Sequence, residues 1–329
     1  MKSSPKISVI TGYYNRPKVV RRTIESLLNQ SLRDIEILIF DDCSKDNTAQ
    51  VIADLCCEYN DDRLVPIYHE KNTGFTRGLI EAIQKSRGEY IAIQGSGDVS
   101  LPARLELQAK ALDENPDIGV VGCYFRNYDE AGVHYIARRP DASRVTLDSL
   151  RANNVFAHGE VMIRRSFYEQ VGGYRPIFRF SADYDLWLRL IRISKFHTVP
   201  DFLYDRYMLR DGVSYNPDKA IHMVKYHALG WQISHDESLY QEIVKKYGET
   251  IPVDEVLPDD NYKVQKKLLR LALRFTLFGD RDEAAHVGFR LKSVYARNFI
   301  LLSNWLTRYW PFSVMLRVVQ RLMKIDSKN

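Results

Sequence analysis

Residues 89–105 read EYIAIQGSGDVSLPARL, and the fold turns on them. Tyr90, Ile91, Ala92 and Ile93 form a short apolar run, the pattern of a strand buried on both faces. Gln94-Gly95-Ser96-Gly97-Asp98 follows as a small-residue turn ending in one carboxylate. Leu101-Pro102 is expected to open a helix, with Ser100 as its cap. In an open α/β sheet, ligands bind beyond the carboxyl ends of the strands. This strand therefore delivers a glycine-rich loop and Asp98 to the place where chemistry is expected. Taken alone, the turn is ordinary; its neighbours along the chain give it meaning.

Working outward, the preceding chain alternates strand and helix. Strands are expected at Lys6 to Thr11, Ile35 to Phe40 and Leu64 to His69, with helices to about Gln30, over Ala49 to Tyr59 and to Arg87. Such spacing implies βαβ units and a mainly parallel sheet. No G-x-G-x-x-G follows the first strand, which disfavours a dinucleotide fold of that kind. Further on, Ile118 to Tyr128 and Gly159 to Arg164 read as strands, and Phe196 to Arg210 carries one or two more. A helix opens at Phe180 to Arg189, with Ser181 as candidate cap and Asp183 and Asp185 in the favourable first turn. Asp185 and Arg189 stand at i,i+4 spacing suited to a surface pair. Beyond Asn216 the pattern is helical, so the domains are expected at 1–215 and 216–329.

The 329 residues have the composition of a soluble globular protein. No run is long and apolar enough to span a bilayer, and the N-terminus lacks a signal peptide's apolar core. Cys43, Cys56, Cys57 and Cys123 show no metal-ligand spacing and suit a reducing cytoplasm. From Asn261 onward, 14 Lys or Arg face 4 acids, a balance of +10; the whole chain is +5, so the first 260 residues carry −5. A basic tail on a near-neutral body points to an acidic partner surface.

The loops at strand ends gather Tyr14, Asp41, Asp42, Arg77 and Asp98, with Asp183 at a later helix start. Each has a dull explanation as a cap, a core residue or a solvated charge. Together they place an aromatic, a cation and acids where a nucleotide and its substrate would sit.

Six stretches in order, ISVITGYYNRP, TIESLLNQSLRDIEILIFDDCSKDNT, NTGFTRGL, RGEYIAIQGSGDVSLPARLELQ, HGEVMIRRSFYEQVGGYR and SADYDLWLRL, resemble a family 2 inverting glycosyltransferase of the GT-A fold, of the bacterial or archaeal surface-glycan type. The likeness covers about residues 5 to 215. It implies an α/β nucleotide-sugar-binding fold with a C-terminal helical extension. It also implies nucleotide binding by Gly12, Tyr14, Asp42, Thr73 and Arg77, with Tyr14 stacking near the base. Asp42 would accept a hydrogen bond from a uracil N3–H. Asp183 would be the general base, and Ser96, Asp98, Arg206 and Arg210 would face the donor sugar or diphosphate.

The family's metal-binding D-x-D stretch reads here Gly95-Ser96-Gly97-Asp98. Asp98 is expected as a lone, weak ligand for Mg²⁺ or Mn²⁺ with arginine help; the alternative is that arginines alone meet the diphosphate charge. The implied partners are a nucleotide sugar, UDP-linked by preference, and a glycan or lipid-linked acceptor. A degenerate relative that binds without turnover is the rival reading. Nucleic-acid binding ranks low, since no recognised motif accompanies the basic tail.

Helices are expected at Tyr262 to Phe278, Arg281 to Ala296 and Asn298 to Tyr309, with a fourth from Pro311. The fourth sets Phe312, Met315, Leu316, Val319, Leu322 and Met323 opposite Arg317, Arg321, Lys324 and Lys328. Such a basic amphipathic helix either packs on its neighbours or lies on an anionic membrane, which would make the enzyme cytoplasmic and peripheral on the inner face.

Overall fold

Continuous apolar runs flanked by turn residues become the buried strands of one sheet. The computed structural model describes residues 4–129, 132–208, 216–278 and 280–306. The chain divides into two compact units, Met1–Leu209 and Arg210–Asn329.

The first unit runs β1 (Ile7–Tyr13), α1 (Pro17–Leu28), β2 (Ile35–Asp41), α2 (Thr48–Tyr59), β3 (Leu64–Tyr68), α3 (Phe75–Lys85), β4 (Tyr90–Gln94) and β5 (Val99–Ser100). It continues with α4 (Arg104–Glu114), β6 (Ile118–Tyr128), β7 (His134–Arg138), α5 (Leu147–Ala152), β8 (Met162–Arg164), α6 (Arg165–Gln170), α7 (Ala182–Leu190) and β9 (Lys195–Tyr207). The sheet order is β3-β2-β1-β4-β8-β6-β9-β5, with β7 on the side of β6. Strands β1 to β4 pair in parallel, as do β6 and β9, while β8 joins the two groups antiparallel. Every residue of β1, β2 and β4 is buried, because helices cover both faces of a parallel sheet.

Several local expectations are corrected. Helix α4 begins at Arg104, not at Leu101-Pro102; Ser100 lies in β5, and Ala103 takes the cap position without a side-chain bond. Ser181 stands before α7 in the left-handed region, φ 55°, and its hydroxyl caps nothing. Residues 158–160 form a 3₁₀ turn, so the strand expected from Gly159 shortens to β8. The Asp185–Arg189 pair is buried, 2.7 Å apart, and Arg175 joins Asp185 at 3.3 Å. It is a core ion pair rather than a surface one.

The core also holds an arginine. Arg104 is 0 % exposed, yet its guanidinium donates to Gln94 Oε1 at 2.9 Å, Ser100 Oγ at 2.7 Å, Gln108 Oε1 at 3.2 Å and the carbonyls of Ile93 and Val161. Satisfied buried charge of this kind fixes one arrangement of β4, β8 and α4.

The second unit contains α8 (Pro217–Ile233), α9 (Ser238–Tyr247), α10 (Val253–Val256), α11 (Tyr262–Phe278), α12 (Arg281–Phe289) and α13 (Val294–Leu306). The helix expected to run to Ala296 ends at Phe289, and the next starts at Val294. Lys225, buried in α8, is held by Asp254 and by Asp259 at 2.7 Å. The fourth helix expected from Pro311, its basic stripe and Arg210 lie outside the described residues. Among those described, no helix is long and apolar enough to cross a membrane.

Arg104→Met should cost about 2–4 kcal/mol of stability, since several buried acceptors lose their donor at about 1–3 kcal/mol each before relaxation. Urea unfolding at constant slope checks this; a loss below about 1 kcal/mol would mean the network is not what orders the core.

Candidate active site

The carboxyl ends of β1, β2, β3 and β4 point the same way, so their loops gather along one rim. The first two loops are pinned together. Asn15, at φ 53°, donates its amide to Ser44 Oγ at 2.9 Å and accepts from Lys45 N at 2.8 Å, while Arg16 N bonds Thr48 Oγ1 at 2.9 Å. Asp41 closes its own turn by accepting from Ser44 N and Ser44 Oγ. Tyr14 stands on this rim 43 % exposed, an aromatic face open to a planar ligand.

Asp42 ties the second loop to the third. Its Oδ1 accepts from Thr73 N at 2.8 Å, Thr73 Oγ1 at 3.1 Å and a ring nitrogen of His69, Nδ1 at 2.9 Å. Its Oδ2 accepts from Gly74 N at 2.8 Å. At 3 % exposure the carboxylate faces protein donors with both oxygens. The same loop leads to Arg77, half-buried in the first turn of α3. Gly12 lies near the carboxyl end of β1. A Cβ there would come within 2.0 Å of Phe40 Cζ, so the glycine makes room for a core ring that in turn stacks on His69.

Asp98 fastens the fourth loop to β9. Tyr204 Oη donates to its Oδ2 at 2.7 Å and Tyr207 N to its Oδ1 at 2.8 Å. The same hydroxyl accepts from Gly95 N at 3.0 Å, and Thr23 Oγ1 of α1 bridges Gly97 N and the Asp98 carbonyl. Burial lifts the Asp98 carboxyl above the ordinary carboxylate value, against the pull of Tyr204, Arg206, the Tyr207 amide and Arg22.

A divalent cation at Asp98 does not fit this geometry. Both oxygens already face protein donors and the group is 8 % exposed. A side chain at Gly95 would put its Cβ 2.2 Å from Asp98 Oδ2. Gly97 sits at φ +92°, where a side chain is strained, and its Cβ would meet Val19 and Arg22 Nη2 at 3.2–3.3 Å. Among the described residues, no group of three or more His, Cys, Asp or Glu side chains is placed to hold a metal. In this structure Asp98 is a latch between the fourth loop and β9. Ser96 accepts from Arg16 Nη1 at 3.2 Å, and Arg206, at the end of β9, is half-buried beside Asp98.

Asp183 occupies the first turn of α7, half-buried, and Asn154 Nδ2 donates to its Oδ2 at 3.0 Å. His158 lies close enough to feel its charge. Burial holds His158 below the usual histidine value despite Asp183, so it is neutral near pH 7. His158 Nε2 meets Tyr174 Oη at 2.6 Å, and Phe75 and Trp187 pack edge-on against the ring. Sequence reasoning quoted His158 within HGEVMIRR but assigned it no role. The pairing with Asp183 joins residues 25 positions apart, which a linear pattern does not signal.

The mostly parallel α/β sheet followed by C-terminal helices is the GT-A type of fold that solved glycosyltransferase structures share. The chain belongs to glycosyl transferase family 2, whose profile matches residues 8–172. It is 35 % identical over 191 residues to EpsE of Bacillus subtilis (strain 168), a protein carrying a glycosyltransferase name; the match covers 57 % of this chain and 68 % of EpsE. Among solved structures, TarS 1-349 of S. aureus in complex with UDP is similar at TM-score 0.54 and 16 % identity, over 91 % of this chain and 89 % of that one. The mannosyltransferase PcManGT from Pyrobaculum calidifontis, in complex with GDP-Man and Mn²⁺, is similar at TM-score 0.57 and 17 % identity, over 100 % and 88 %.

If Asp42 is the tie between loops, Asp42→Ala should accelerate amide exchange at Thr73 and Gly74 by about 30-fold, equivalent to about 2 kcal/mol, and leave β4 amides near their original rates. Equal acceleration in β4 would show that Asp42 supports the sheet as a whole.

Proposed function

We propose that this chain transfers a sugar from a nucleotide sugar, UDP-linked by preference, to a hydroxyl of a glycan or lipid-linked acceptor, inverting the anomeric carbon. The observation that carries the reading is the Asp183 carboxylate. It is half-buried at the start of α7 and oriented by Asn154, while Asp185 two residues on is consumed by Arg175 and Arg189. The UDP and GDP-Man bound by structural neighbours support a nucleotide-sugar donor.

In this reading Asp183 takes the proton from the acceptor hydroxyl. The freed oxygen lone pair forms the new bond to the anomeric carbon from the face opposite the nucleotide. The bond from that carbon to the phosphate oxygen breaks, and the diphosphate leaves with its electron pair. A positioned base contributes about 10²–10⁴ in rate, provided its protonation state and reach are both right. Asn154 holds the carboxylate's orientation.

Asp183→Asn should lower turnover by about 10²-fold or more with donor affinity nearly unchanged. Product analysis with a pool of nucleotide sugars and acceptors measures it; turnover within about threefold of the parent would remove Asp183 from the base role.

A further inference from the structure

The loop from Gly95 to Asp98 is short of acids and rich in cations. Arg16 reaches Ser96, Arg22 lies against Gly97, and Arg22 and Arg206 both act on Asp98. Two guanidinium groups thus act on one carboxylate and a third reaches the same loop at Ser96, while that carboxylate is already bonded to Tyr204 and Tyr207 and its pKa is raised by burial.

Arg22 is the unusual member. It rises from the second turn of α1, and its guanidinium lies flat over the Tyr207 ring, 3.6 Å from the centroid. Its Nε and Nη2 are buried with no hydrogen-bond partner. Nη2 is 3.3 Å from where a Cβ at position 97 would stand, so the guanidinium fills the room beside the loop that an acidic side chain would need. These two donor atoms are cut off from water, and the field of a charge held this way reaches further than that of a solvated one. Arg22 and Arg206 share the Asp98 carboxylate, so the loop's surroundings hold positive charge in excess that an anionic ligand would offset.

We propose that this chain seats a nucleoside diphosphate on arginines, with the half-buried Arg22 supplying beneath the Gly95–Asp98 loop the positive charge that a divalent cation would otherwise bring. Arg22 acts through its field, because Gly97 and Tyr207 cover its inner edge. Arg16 and Arg206, both half-buried, provide the direct donors, and arginine stays charged throughout the physiological range and matches phosphate oxygens in pairs. The inference rests on the nucleotide-sugar reading of the site, and it names the cation that offsets the leaving group's charge.

Calorimetric titration of the full chain with UDP and with uridine, in excess EDTA and in saturating Mn²⁺, tests it for the parent, Arg22→Gln and Arg22→Lys. Parent affinity for UDP should agree within about threefold between EDTA and Mn²⁺. Arg22→Gln should weaken UDP by about tenfold or more while uridine, which has no phosphate, binds as before; Arg22→Lys should retain most of the affinity. Loss of parent UDP binding in EDTA would overturn the inference and leave the nucleotide-sugar reading standing. Unchanged UDP affinity in Arg22→Gln, or equal loss of UDP and uridine, would overturn the charge role of Arg22. A parent that binds neither UDP nor uridine under either condition would overturn the UDP-linked nucleotide-sugar reading itself.

Discussion

The hydrogen bonds from Tyr204 and Tyr207 to the buried Asp98 carboxylate are the contact on which the rim depends. They join a loop after β4 to the far end of β9, 106 and 109 residues along the chain. They add to the β5–β9 ladder, while Thr23 of α1 holds the glycine-rich turn from its other side. Charge-assisted bonds in a dry setting are strong and short, and they set both partners' positions. The same bonds use up the carboxylate, so whatever balances a ligand's negative charge must come from elsewhere in the loop's surroundings.

The rest of the rim follows one pattern: an acid at the end of a strand holds the next loop rather than facing solvent. Asp41 closes on Ser44, Asp42 on Thr73 and Gly74, and Asp98 on β9. Carboxylates fix the loops, and arginines supply charge between them. Asp183 differs, since one oriented bond from Asn154 leaves it half-buried at the first turn of a helix. That division separates residues that build the site from the one proposed to move a proton.

Strands β1, β2 and β4 were legible because a parallel sheet covered on both faces demands unbroken apolar runs, and IEILIF and YIAI are such runs. The glycosyltransferase fold was legible from six ordered motifs. Caps were not. Ser100 and Ser181 have the right chemistry, but the chain there is committed to a strand pair and to a left-handed residue, and tertiary contacts overrode the local preference. Asp185 and Arg189 have surface spacing, yet Arg175 draws them into the core. Arg22 was missed because a charge on an amphipathic helix reads as solvated. The available signal was indirect: a glycine where the family carries an acid implies that something else fills the space beside it.

The most direct test is a crystal structure of the protein soaked with UDP and Mn²⁺, with data collected at the manganese absorption edge. The account predicts diphosphate density against Arg16 and Arg206 above the Arg22–Tyr207 stack, Asp98 still bonded to Tyr204, and no anomalous peak at Asp98. A manganese peak bridging Asp98 and the diphosphate, with the Tyr204 bond broken, would contradict it.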